Sequence, residues 1–341
     1  MTYPKPLSQK SLDKMVKEAN FSEDILSFLK DFFLACCNLY GQISIENMWE
    51  VYKELKQKSD VPTIHRKDLV TYSSIARREE HPYYVFEVDE IFTDKRNDLY
   101  RHIVDKRLIT FGQQKFETFY RLCDAAQNKP FFVPEDLLSY VKVKNNSYDR
   151  ALLQFLGNLK ITAKEVMVGE NKVRVENRGK KLRNVHFYTY YEKLMMSYYK
   201  GELEDGPKKG NSKILARLQE DCRGPESEKL FRHFKLNNSA ASFSVNDCIR
   251  LLVDEINEAG VQLDQRRFSD LVQLLMNCHN HSHLWCNRGW VPVELAQTMS
   301  KHQGMPSISF GPGLQKLFED GTLNKEQYIK AIQEQGFKVE K

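Results

Sequence analysis

At 341 residues, 41% apolar and 28% charged, the chain is long enough for two domains or three small ones and too apolar to be disordered. Its densest apolar run, FFLACC at 32–37, is far shorter than the roughly 20 residues a membrane helix needs, so no membrane partner is expected. The polar opening MTYPKPLSQKSLDKMVKEAN has no export pattern, which makes the seven cysteines reduced thiols of an expected cytoplasmic protein, and a net charge of +5 permits a nucleic-acid partner without demanding one.

Helical periodicity dominates from the start. Ile25, Phe28, Leu29, Phe32, Phe33 and Cys36 form one stripe, with Gly41 placed to end that helix. Ser44 can cap a second helix carrying Ile45, Met48, Trp49, Tyr52 and Leu55. A third is expected from Thr63 or Ile64, with Leu69, Tyr72, Ile75 and Ala76 inward. YYVFEV then alternates, with Tyr84, Phe86 and Val88 on one face, as a strand does. This order is that of a winged helix, so residues 1–95 are expected as a winged-helix-like unit.

Residues 96–205 are expected as a helical middle region, interrupted by the proline-bearing loop NKPFFVPED. EVMVGENKVRV reads as a β-hairpin turning at Gly169-Glu170-Asn171, followed by the aromatic helix HFYTYYEKLMMSYY. The polar, Gly/Pro-punctuated run after it marks a boundary, and 206–341 are expected as a C-terminal helical domain. There Ser244 and Asp264 can cap helices and Gly260 can end one, and Phe268, Leu271, Val272 and Leu275 form a stripe. A short helix ended by Gly321 and a last helix capped by Asn324 and Gln327 and ended by Gly336 complete a mainly α fold.

The run MNCHNHSHLWCNRGWVPVEL holds three histidines and two cysteines within nine positions. On a continuous helix His279, His283 and Cys286 would share a face, a spacing compatible with zinc. No CxxC spacing or evident fourth ligand supports a metal site, and His279 also continues the apolar stripe after Leu275. No cofactor is therefore expected. The favoured reading is a structural corner in which Asn287 or Arg288 closes a helix, Gly289 takes a left-handed turn, Pro292 starts the next helix, and Trp285 and Trp290 pack the bend.

NHSHLWCNRGWVPVEL, with GVQLDQRRFSDLVQLLM before it and ISFGPGLQKLFEDG after it, resembles the C-terminal core of a family of largely uncharacterised helical proteins from low-GC Gram-positive bacteria. NLYGQIS and KPFFVPEDLLSY are similar to that family's N-terminal half, so the resemblance covers much of the chain; the basic hairpin has no counterpart. Asn280, Leu284, Trp285, Asn287, Gly289, Pro292, Glu294 and Leu295 match the family pattern, which has non-ligand residues where His279 to Cys286 stand. Many members carry a zinc-binding SEC-C tail; its cysteines are not found here, so the resemblance implies an architecture and no activity.

Two basic segments are candidates for DNA or RNA. The third helix offers Arg66, Lys67, Arg77 and Arg78, but the strand region after it, Glu79 to Asp94, has six acidic residues and no Lys or Arg, which a phosphate backbone would repel. The hairpin region offers Lys172, Arg174, Arg178, Lys180, Lys181 and Arg183, with Tyr188, Tyr190 and Tyr191 as possible stacking groups. One continuous positive face would favour nucleic acid, and separated patches would favour protein contact. No P-loop, GxSxG, HExxH or dinucleotide fingerprint occurs, so no catalytic residue is expected. The leading expectation is a non-enzymatic adaptor with a protein partner, followed by a nucleic-acid binder and then a zinc protein.

Overall fold

The computed structural model describes residues 3–91, 97–109, 116–168, 171–175, 177–186, 224–240 and 244–303, with short pieces at 307–308, 318, 326, 329 and 338–339. The protein is mainly helical with a small antiparallel sheet. The Gly169-Glu170 turn and the aromatic helix with Tyr188, Tyr190 and Tyr191 lie outside the described residues, as do all but residues 318, 326 and 329 of the helices expected near Gly321 and between Asn324 and Gly336.

Helix α1 (Gln9–Ala19) leads into α2 (Glu23–Tyr40), which Ser22 caps by accepting the Ile25 amide at 3.3 Å. Strand β1 (Gln42–Ser44), α3 (Ile45–Lys58) and α4 (Arg66–Ala76) follow. Ser44 caps α3 through the Asn47 amide at 3.2 Å, as its position predicts. Helix α4 begins later than Thr63 or Ile64, because the Asp68 carboxylate accepts the His65 amide and fixes the N-cap there. Strand β2 (Tyr83–Phe86), the short helix α5 (Val88–Ile91) and β3 (His102–Asp105) complete this part. Strand β3 comes from beyond residue 95 and lies between its two antiparallel neighbours, in the order β1-β3-β2.

The β2 pattern departs from simple alternation because both sheet faces are covered. Tyr83, Val85 and Ile103 join the core of α2, α3 and α4. Phe86 and Val104 pack in a second cluster with Phe119 and Leu122 of α6 (Glu117–Ala126) and with Leu284 and Trp285 from far along the chain. A strand buried on both faces reads as a continuous apolar run, and YYVF is one.

A third cluster gathers α7 (Ser147–Asn158), α8 (Glu226–Ala240), α9 (Val245–Glu258) and α10 (Gln265–Asn280) around Leu156, Phe234, Leu252, Ile256 and Leu275. Ser244 caps α9, Asp264 caps α10, and Gly260 takes φ +85° just after α9, all at the expected positions. Phe268 departs from its stripe: it is 44% exposed, while Leu271 and Leu275 are buried. Strand β4 (Glu165–Val168) pairs antiparallel with β5 (Asn171–Arg174), Val166 opposite Val173, and β4 packs against α9. Helix α11 (Pro292–Gln303) follows the corner, and a short parallel pair joins β6 (Ser307–Ile308) to β7 (Lys338–Val339). No helix among the described residues is long and apolar enough to cross a membrane.

Candidate functional site

The basic residues of α4 divide by environment. Arg66 and Lys67 are exposed, and Arg66 lies 3.4 Å from the Glu46 carboxylate. Arg77 is committed internally: its guanidinium donates to both Glu90 oxygens at 2.8 and 2.9 Å and to the Val85 carbonyl, and it stacks 5.0 Å from the Tyr3 ring. Glu87 bridges Arg77 and Arg101. Glu87 and Glu90, two of the acidic residues that follow α4, therefore neutralise arginines of their own unit. Arg78 is half-buried, and its carbonyl accepts the Leu7 amide.

The histidine-rich stretch is a corner between distant parts of the chain. Helix α10 ends at Asn280, so the continuous helical face that would gather His279, His283 and Cys286 does not form. His279 Nδ1 lies 2.7 Å from Asn238 Oδ1, and burial lowers its pKa. His283 uses both ring nitrogens: Nδ1–H donates to the Gly289 carbonyl at 2.6 Å, and Nε2 accepts from the Tyr140 hydroxyl at 2.9 Å. The Cys286 thiol is pushed up by burial, which disfavours the thiolate a metal would need. Among the described residues no group of three His, Cys, Asp or Glu side chains is placed to hold a metal.

The bend itself is a one-turn 3-10 helix over Trp285–Asn287, then Arg288 at φ 49° and Gly289 at φ 83°, with α11 starting at Pro292. Trp285 is buried with its indole N–H on the Asn38 carbonyl at 2.9 Å, and Trp290 donates to the Pro130 carbonyl at 3.1 Å. Lys129 reaches the Cys286 carbonyl and Asn287 Oδ1 at 2.8 and 2.9 Å. Asn280 is half-buried at the end of α10, and Glu294 is exposed in the first turn of α11.

The second basic segment forms a ledge at the end of α7. Leu159–Ile161 runs antiparallel to Lys180–Leu182, held by Ile161 N–H to Lys180 O at 3.0 Å and Leu182 N–H to Leu159 O at 2.9 Å. This pairing sets Lys160 directly opposite Lys181. Like charges so opposed cost stability, which makes the pair an unusual choice for a purely structural strand. Lys160, Lys172, Arg178, Lys180 and Arg183 are exposed and Lys181 is half-buried; among the described residues none of the six has a carboxylate partner. Their recorded bonds go to neutral oxygens: Arg178 to Thr162 O, Lys180 to Asn177 Oδ1 and Lys181 to Asn158 Oδ1. Arg174 lies on β5 opposite Glu165.

The two basic segments belong to different cores, α4 to the N-terminal one and Leu182 with Val185 to the C-terminal one. Sequence reasoning missed Lys160, which gains its meaning only from the partner strand. It also passed over Arg267, although the Arg266-Arg267 doublet was readable; Arg267 faces α7 across a groove of about 390 Å3. Compared with known proteins, the chain matches no family model, no curated protein and no solved structure.

Proposed function

We propose that this is a non-enzymatic cytoplasmic binding protein whose basic ledge holds a nucleic-acid backbone. The observation that carries the reading is the set of cations around Lys160 and Lys181 that have no carboxylate partner among the described residues, with two lysines kept opposite each other despite their mutual repulsion. Phosphates would relieve that repulsion and release counterions on binding. A cytoplasmic setting is supported by six free cysteines among the described residues.

The N-terminal unit we read as a winged helix that serves as scaffold. The order α2-β1-α3-α4-β2-α5-β3 and the central place of β3 support it. Its sheet is buried on both faces and Arg77 is tied to Glu90, so little of it is open to a DNA groove. A second reading, a protein-contact adaptor, draws support from the placement of the basic segments on separate cores. Kinship with the Gram-positive family rests on the corner sequence, and its left-handed Gly289 supports it.

Binding to labelled duplex DNA and single-stranded RNA across a salt series tests the reading. Affinity that falls steeply with salt, is lost in the Lys180→Ala, Lys181→Ala, Arg183→Ala triple variant and survives Arg66→Ala with Lys67→Ala is the expected result. No binding at low salt removes the nucleic-acid reading and leaves the adaptor.

A further inference from the structure

The ledge continues into a groove whose chemistry is more selective than charge. The groove lies between α7 and α10; Phe155, Leu159 and Leu274 supply apolar surface, and Gln154, Asn158 and Arg267 supply polar edges. Gln154 and Asn158 are both exposed and one helical turn apart, so their amides lie on the same face of α7. Asn158 is also the residue that Lys181 reaches at 3.0 Å, which links the groove to the ledge.

We infer that this groove seats one unstacked nucleobase of a single-stranded nucleic acid, with the adjoining phosphates on Lys160, Lys181 and Arg267. The inference rests on the nucleic-acid reading of the ledge and specifies its ligand. A base has apolar faces and an edge of mixed donors and acceptors, which suits aromatic and aliphatic surface bordered by the Gln154 amide, while Asn158 donates to the Gln154 backbone carbonyl at 3.0 Å and holds Lys181. A groove of about 390 Å3 has room for a single base. In a duplex the bases are stacked and paired, so only a single strand can present one there. An acidic peptide would use the cations and the amides but brings no flat π face to lie against Phe155 and Leu274. The groove on the other side of α7 carries Arg150 and Arg183 beside Glu228 but has no aromatic side chain among the described residues that line it, so it offers cations without a stacking face for a base.

The test uses the full chain and a short single-stranded RNA carrying photoactivatable uridines, alongside the same sequence as a duplex. The expected result is preference for the single strand and crosslinks to peptides covering 150–160 or 264–275. Gln154→Ala, a surface change that leaves the Lys181–Asn158 bond in place, weakens single-strand binding about fivefold and leaves the duplex unaffected. Phe155→Leu, which keeps the packing apolar, lowers single-strand affinity through lost stacking alone.

Equal affinity for duplex and single strand, unaffected by the amide variant but lost with the ledge triple variant, overturns the groove and leaves the ledge reading intact. Crosslinks confined to other segments overturn it equally. Absence of binding to either form at low salt removes both readings. Binding of poly-glutamate that displaces the RNA without regard to the amide variant assigns the surface to an acidic protein partner and overturns the base-binding inference.

Discussion

Gly41 shows how much one position carries. It has φ +71° after α2, and a Cβ placed there would lie 2.3 Å from Trp285 Cδ2. Backbone conformation and space both demand glycine, the second because the indole of a distant corner lies against it. Gly41→Ala is expected to cost about 2–4 kcal/mol, combining left-handed strain with overpacking, read as a lower urea midpoint at unchanged slope. The sequence marked Gly41 as a helix end; the tryptophan beside it came from 244 positions away, a contact no local pattern encodes.

His279 carries a pH dependence of known sign. Burial lowers its folded pKa below the ordinary 6.5, so above that value the imidazole is neutral in both states and stability is complete. As pH falls below it, the unfolded chain takes a proton that the folded chain resists, and stability declines. His279→Gln should flatten this part of the stability–pH profile, measured by urea unfolding between neutral and mildly acidic pH; an unchanged profile would place the dependence elsewhere.

At the scale of elements, capping chemistry was legible and pairing was not. Ser44, Ser244 and Asp264 cap the helices that their positions announce, because an N-cap needs only its own side chain and an amide three residues on. The Lys160–Lys181 opposition depends on two segments meeting across about twenty residues, and neither lysine is distinctive alone. Lys160→Glu converts repulsion to attraction and is expected to raise stability by about 0.5 kcal/mol in low salt, with the gain fading as salt is added. The same change should weaken nucleic-acid binding. A site that improves in stability as it loses ligand is the pattern expected where charge serves binding.

For the whole molecule, the corner acts as a clasp. Trp285 packs with Phe86 and Val104 of the sheet, its indole N–H reaches Asn38 at 2.9 Å, and Arg107 stacks over its ring at 5.1 Å. Trp285→Ala is expected to cost about 3–5 kcal/mol and to separate unfolding into two steps by calorimetry, since the N- and C-terminal cores lose a shared anchor. A single transition at a lowered temperature would show that the remaining contacts suffice to couple them.

The sequence by itself determined the helical class, the α2 and α3 stripes, the cap residues and the corner glycine, because each depends on periodicity or on neighbours within one turn. Tertiary structure alone decided that the sheet is covered on both faces, that Arg77 is bound to Glu90, that α10 stops before His283, and that Lys160 stands against Lys181. The reason is physical: helix formation and capping are local interactions, whereas neutralisation of a charge or burial of a second face depends on which distant segment packs there.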